Sequence, residues 1–434
     1  MNFEKAMAYL YDRLPVFHKI GHRAYKPGLD TTWALCERLG NPQKNYATIH
    51  VAGTNGKGSV SNMLAAILQT AGFKTGLYTS PHLKSFNERI RVNGKVIEEG
   101  YVADFVTEHK QYIEQISPSF FEVTVAMAFD YFADQGVDIA VIEVGMGGRL
   151  DSTNVITPIL SVITNIGLDH VRQLGDTLPQ IAKEKAGIIK PGVPVVISER
   201  QSEEISGVFE REAAAKQASL RYGSDYGRVE DEGTENGSLR IKIDKTNDDN
   251  ISNTVRYELD LSGNYQKKNV LAVLSAVELL NGEGWPISEE AVRTGLASVS
   301  GTTGFKGRWT RLKDRPFVVA DTAHNLPGLQ GTLEQFLSVP ADQRHFVLGF
   351  VSDKDISSML RLLPLNAKYY FCAPTNSRAL PSIALLEQAT ALGLKGQSFP
   401  DVNAALEAAL LNSSESDSIY VGGSTFVVAD LELL

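Results

Sequence analysis

The sequence predicts an α/β protein in two parts, each built on a parallel sheet. Three observations carry this. Short apolar segments such as VDIAVIEVG (137–145) and PILSVITNIG (158–167) read as central parallel strands covered on both faces. They alternate with helical segments, the pattern of βαβ units. A chain of 434 residues exceeds one ordinary core, and the Ser-, Thr- and Gly-rich stretch SVSGTTGFK at 298–306 offers a boundary.

The elements follow in order. Residues 1–14 alternate charged and apolar residues at helical spacing and predict an amphipathic helix. Lys26-Pro27-Gly28 breaks the helical pattern and reads as a loop. Residues 46–52 (YATIHVA) form a short strand, and a glycine loop follows it directly. Residues 59–72 predict a helix stopped by Gly72, and KTGLYTS (74–80) the next strand. FFEVTVAMAFDYFADQG (120–136) reads as a helix, VPVVISE (193–199) as a strand and FEREAAAKQA (209–218) as a helix. Residues 225–260 are polar, with β-alternation in SLRIKID and TVRYELDL, and predict antiparallel excursions. Helices return at 264–280 and 287–299. Beyond the boundary, FVVADTAHN, HFVLGFVSD, KYYFCAPT and SIYVGGS are strands between helical segments. The expected domains are 1–298 and 299–434.

Composition narrows the function. The net charge of −9 gives no global basic field for nucleic acid or an anionic membrane, so an anionic ligand needs local positive groups. No segment approaches a membrane span, and the N-terminus lacks the apolar core of a signal peptide. Cys36 and Cys372 make no CxxC pair and read as two buried thiols in a reduced compartment. The expectation is a cytoplasmic, monomeric enzyme acting on small molecules.

The densest signal is Gly53-Thr54-Asn55-Gly56-Lys57-Gly58-Ser59, between a buried strand and a helix. Such a loop turns backbone N–H groups toward phosphate oxygens. Gly56 and Gly58 permit unusual dihedrals and leave room for a ligand. Lys57 supplies a point charge, and the hydroxyl of Ser59 or Thr54 can join the phosphate or Mg²⁺ shell. The general phosphate loop is GxxxxGK[ST]; here Gly58 intervenes between Lys57 and Ser59.

That departure, GTNGKGS, resembles the loop of the Mur ligase superfamily, in its folylpolyglutamate synthase/dihydrofolate synthase branch. Other segments agree in order: LYTSPHLKSFNERIRVNG (77–94), FFEVT (120–124), VIEVGMGGRLDSTNVI (141–156), ITNIGLDHVRQLGDTLPQIAKEKAGIIK (163–190), GRW (307–309), DTAHN (321–325) and SDKD (352–355). The resemblance implies a P-loop ATPase domain followed by a smaller Rossmann-like glutamate ligase domain. It implies joining L-glutamate to the carboxylate of dihydropteroate, of a reduced folate, or of both, through an acyl phosphate made from ATP.

Glu143 ends one strand, His170 follows the next and Ser80 follows the strand after the glycine loop, so three donors arrive at neighbouring strand ends. By resemblance Ser80, Glu143, His170 and Lys185 serve two Mg²⁺ ions, with Lys185 carbamylated; Lys183 is nearby, but the family pattern favours Lys185. Lys57, Lys185 and His170 are the implied catalytic set. Asn269 resembles the adenine contact, and Arg308 and Asp321 resemble second-domain groups that reach ATP. Closure of the second domain on the first is expected to complete the site. His324 and Asp353 are assigned to the glutamate side.

For the pterin, resemblance points to Lys26, Pro27 and Gly28, to Ser119, Phe120, Phe121 and Glu122, and to Leu150, Asp151 and Ser152. Phe121 can stack on a pterin ring, and the Asp151 carboxylate can pair with its N–H groups. The chain departs from the frequent family pattern at Gly28-Leu29-Asp30-Thr31, Val125 and Met146, all on this side of the site. A monofunctional folylpolyglutamate synthase is one alternative. A superfamily ligase for a cell-wall precursor is another, but the short stretch before residue 46 leaves no room for the extra N-terminal domain usual in such enzymes.

Overall fold

A computed structural model describes residues 1–16, 21, 28–246 and 252–434. The chain divides into two compact units. One comprises Met1–Asp260 with Gln266–Phe305, the other Leu261–Tyr265 with Lys306–Leu434. The sequence put the division at 298/299. The difference arises because Val299–Thr303 forms a short helix packed on the helix Lys57–Thr70, which keeps it with the first unit.

In the first unit the described strands are β1 (Ala47–Ala52), β2 (Thr75–Tyr78), β3 (Ile90–Val92), β4 (Lys95–Val96), β5 (Ile139–Glu143), β6 (Leu160–Ile163), β7 (Val195–Ile197) and β8 (Leu220–Tyr222). They form one sheet in the order β4-β3-β2-β5-β1-β6-β7-β8. The strands β2, β5, β1, β6, β7 and β8 run parallel, and β3 and β4 add an antiparallel edge. The central strands are mostly apolar because both faces are covered. The register puts Tyr78, Ile142 and Ile163 on one face, which packs two clusters, one including Phe129 and the other Ile181 and Phe209. The helix Lys57–Thr70 ends just before Gly72, whose φ of +95° provides the left-handed turn expected there. The helix Glu99–Ile116 was not anticipated; its buried positions, such as Val102, Phe105, Val106 and Ile113, keep helical spacing among many charged residues.

The excursions expected at 225–260 are an antiparallel sheet of β9 (Arg228–Glu235), β10 (Ser238–Thr246) and β11 (Ser252–Leu259). The second unit holds β12 (Thr310–Lys313), β13 (Phe317–Ala320), β14 (Arg344–Leu348), β15 (Lys368–Phe371), β16 (Gly396–Ser398) and β17 (Ser418–Gly422), ordered β12-β13-β17-β14-β15-β16. All its pairings are parallel except that of β12 with β13. Its core stacks Phe346, Tyr369 and Phe371. Among the described residues no helix is long and apolar enough to cross a membrane.

Candidate active site

The order β2-β5-β1-β6 sets the site. These four neighbours are parallel, so the segments after Tyr78, Glu143, Ala52 and Ile163 emerge side by side at one sheet edge. The glycine loop rises from β1 and is latched to the segment after β6. Thr54 N donates to Asn165 O at 2.8 Å, Asn55 N to Asn165 Oδ1 at 2.8 Å, and Thr164 Oγ1 to Asn55 O at 2.5 Å. The Thr54 hydroxyl donates to Gly167 O and accepts from Gly167 N. It therefore secures the loop to the segment after β6. Gly53 has a φ of +144°, and a Cβ there would sit 1.7 Å from Thr164 Oγ1. Lys57 curls over its own loop, donating to Gly53 O at 2.9 Å and Thr54 O at 3.1 Å.

The expected carboxylate, hydroxyl residue and lysine gather around this loop. Glu143 Oε2 accepts from Ser80 N at 3.1 Å, and its Oε1 would lie 3.7 Å from a Cβ on Gly58. Lys185, wholly buried on the helix Leu178–Ala186, donates to Gly53 O at 2.8 Å. Burial and the nearby Lys57 push its pKa well below the usual lysine range, against the opposing pull of Asp169 and Asp151. His170 adopts a left-handed φ of +51° and takes the Asp169 carboxylate on its backbone N at 2.8 Å.

The segment after β5 links this edge to the apolar wall. Arg149 N donates to Glu184 O, fastening the segment to the lysine helix. Gly148 admits that contact, since a Cβ would meet Glu184 O at 2.8 Å. Asp151 is buried and accepts from Met146 N at 2.8 Å, Thr153 N at 3.0 Å and Thr153 Oγ1 at 2.5 Å. Burial raises its pKa against these bonds. Leu150 and the buried Ser152 flank it. Phe121 packs over Gly145 and lies 6.2 Å from the Tyr78 ring. Phe120 is placed otherwise: it stacks on Tyr11 at 5.1 Å and sits under the Arg89 guanidinium at 5.4 Å. Ser119 and Glu122 form a reciprocal capping box on the helix Phe120–Asp134, so their side chains serve that helix start. Gly28 has a φ of +129° with open space around it; Lys26 and Pro27 lie outside the described residues.

In the second unit Asp321 is fully engaged. Its Oδ2 accepts from Tyr265 Oη at 2.7 Å and Trp309 N at 2.8 Å, and its Oδ1 from Ala323 N at 2.8 Å. Burial raises its pKa, opposed first by Arg308. His324 Nδ1 lies 3.0 Å from Thr322 O. Asp353 pairs with Arg378, from the loop after β15, at 2.5 Å.

The Mur ligase middle domain model matches residues 51–277, and the Mur ligase glutamate ligase domain model matches 307–425. The chain is 35% identical over 395 residues to the folylpolyglutamate synthase of Lacticaseibacillus casei, covering 88% of each chain. It is 36% identical over 370 residues to the dihydrofolate synthase/folylpolyglutamate synthase of Bacillus subtilis, covering 83% of this chain and 82% of that one. This chain belongs to the folylpolyglutamate synthase/dihydrofolate synthase family. Its fold matches that of Escherichia coli FolC in complex with DHPP and ADP, with a TM-score of 0.83, 29% identity and coverage of 99% and 96%.

For a family member of this kind, the edge chemistry bears on a metal. Mg²⁺ takes one or two carboxylates with hydroxyl, water and phosphate oxygens rather than a closed protein cage. Among the described residues no three His, Cys, Asp or Glu side chains gather into such a cage. One buried carboxylate, fixed beside Ser80, fits that ion. Sequence reading missed Thr164, Asn165, Asp169 and Gln266. The first three lie inside the quoted motif ITNIGLDH, where polar residues directly after an apolar strand were the available signal.

Proposed function

We propose that the chain is an ATP-dependent amide ligase that adds L-glutamate to dihydropteroate, to reduced folates, or to both. The observation that carries this is the convergence of the Gly53–Ser59 loop, Glu143 and Lys185 at one sheet edge. The family membership and the ADP complex of the Escherichia coli relative support it.

A carboxylate is a poor acyl donor because oxide is a poor leaving group. Transfer of the γ-phosphoryl group to that carboxylate gives an acyl phosphate and ADP. The glutamate amine then attacks the acyl carbon and phosphate departs. The loop amides, Lys57 and Ser59 bind the triphosphate, and Asn269 takes the adenine. Asp151 and Phe121 line the pterin side. By the family resemblance Arg308 and Asp321 are assigned to ATP and His324 to glutamate. Asp321 acts there by shaping its turn, given how fully its oxygens are engaged. Ser80, Glu143, His170 and a carbamylated Lys185 would hold Mg²⁺, which screens the charge of the phosphates. The depressed pKa of Lys185 favours the neutral amine that carbamylation needs.

The test is to follow phosphate release with ATP, Mg²⁺ and glutamate, with dihydropteroate in one arm and tetrahydrofolate in the other. Release in both arms is expected. Release with tetrahydrofolate alone means a monofunctional enzyme, and none in either arm defeats the reading.

A further inference from the structure

Gln266 is fully buried at the start of the helix Gln266–Gly282, and none of the roles above uses it. Both ends of its amide are engaged. Its Oε1 accepts from Asn269 Nδ2 at 2.7 Å, and its Nε2 donates to Ser59 Oγ at 3.1 Å. We propose that Gln266 is a positioning residue that fixes the hydrogen-bonding polarity of two nucleotide contacts, Ser59 and Asn269. This rests on the reading above that these two residues face ATP.

A glutamine amide has one acceptor end and one donor end, so engaging both dictates what each neighbour presents elsewhere. Asn269 spends an N–H on Gln266, so its carbonyl oxygen points the other way. That oxygen lies against Gly56, where a Cβ would come within 2.6 Å of it. A side chain is excluded there twice over, since Gly56 also has a φ of +89°. Ser59 accepts the Gln266 hydrogen, so its own O–H remains a donor. The base end of the site thus offers an acceptor and the phosphate end offers a donor. An acceptor suits the exocyclic amino group of adenine and mismatches the carbonyl of a 6-oxopurine. Burial of the relay keeps water from reversing it.

The experiment compares ATP with inosine triphosphate in the wild type, Gln266→Leu and Gln266→Glu. The wild type should prefer ATP. Gln266→Leu releases both neighbours, so kcat/KM for ATP should fall about tenfold and the preference for ATP should shrink by a similar factor. The KM for glutamate should stay unchanged. Gln266→Glu keeps the acceptor that holds Asn269 but draws the Ser59 hydrogen to itself. It should bind ATP poorly yet retain the preference for ATP. The Glu variant matches the native side chain in size, so it still reads the relay if the Leu variant fails to fold. Titrating ADP and inosine diphosphate by calorimetry reads the same ratio without turnover. A Gln266→Leu variant whose nucleotide preference equals that of the wild type, or a Gln266→Glu variant that binds ADP as tightly as the wild type does, would overturn this proposal alone. A wild type that binds neither nucleotide would overturn it together with the reading of the loop.

Discussion

Lys57 and Lys185 donate to one oxygen: the Gly53 carbonyl accepts the first Nζ at 2.9 Å and the second at 2.8 Å. Two ammonium groups on one acceptor repel, and Lys185 is also cut off from water. The protein relieves this by depressing the Lys185 pKa.

Lys185→Met should therefore stabilise the fold while removing activity. An unfolded lysine keeps its proton to about pH 10.4, whereas the buried amine releases it well below that. Between those values the unfolded chain binds more protons, so stability rises with pH and falls on acidification. Methionine removes that dependence. Near pH 7 the melting temperature should rise by about 2–4 °C for each kcal/mol recovered. Phosphate release should drop by about 100-fold or more. Thermal melts at pH 7 and 9 with the ligase assay check both. Full activity in the variant would remove Lys185 from the site.

Gly53→Ala should fail for a different reason. The methyl group would sit 1.7 Å from Thr164 Oγ1, on a backbone of φ +144° that L-residues rarely adopt. Relief requires moving Thr164, which also holds Asn55 O. A loss of about 1–3 kcal/mol and much weaker ADP binding are expected. Urea denaturation and an ADP titration measure them. An unchanged ADP affinity would show that the latch between the β1 and β6 segments is dispensable.

The sheet edge was legible because strand ends and loop motifs are local in sequence. Glu143, Ser80 and the glycine loop follow directly from where β5, β2 and β1 stop. What each side chain touches was not legible. Ser119 and Glu122, just before and within FFEVT, look like pocket residues, yet Ser-x-x-Glu at a helix start is also a capping box, and that is what forms. Asp353 reads as a glutamate-side residue, while its pairing with Arg378, distant in sequence, is visible only in the fold. Gln266 was invisible because its two partners depend on helix register and on a contact across 207 residues.

Acid should weaken the fold through His50. It is completely buried beneath the Asp151 turn, with Nε2 2.9 Å from Thr153 Oγ1. Burial, then Lys190, lowers its pKa to about 3. In the unfolded chain it titrates near 6.5, as an ordinary histidine does. Below that pH the unfolded state binds the extra proton, so stability falls by about 1.4 kcal/mol per pH unit until roughly pH 3. His50→Gln should flatten this slope between pH 6 and 4. Denaturation curves across that range decide it; an unaltered slope would assign acid sensitivity to other groups.

Tyr265→Phe tests the turn around Asp321. The phenol supplies one of two bonds on Oδ2, the Trp309 amide the other, inside a site closed to water. Deleting the hydroxyl leaves a buried carboxylate short of a donor, and a hydrogen bond to a charged group contributes about 1.5–3 kcal/mol. The loss should be largest where Asp321 is ionised and shrink as its carboxyl takes up a proton. Burial already raises the Asp321 pKa, and the Tyr265 bond opposes that rise. The variant carboxyl should therefore take up its proton at higher pH, and the stability gap to the wild type should narrow as pH falls. Urea midpoints at pH 7 and 5 measure the gap. If it stayed constant, Tyr265 would contribute by packing rather than through the carboxylate.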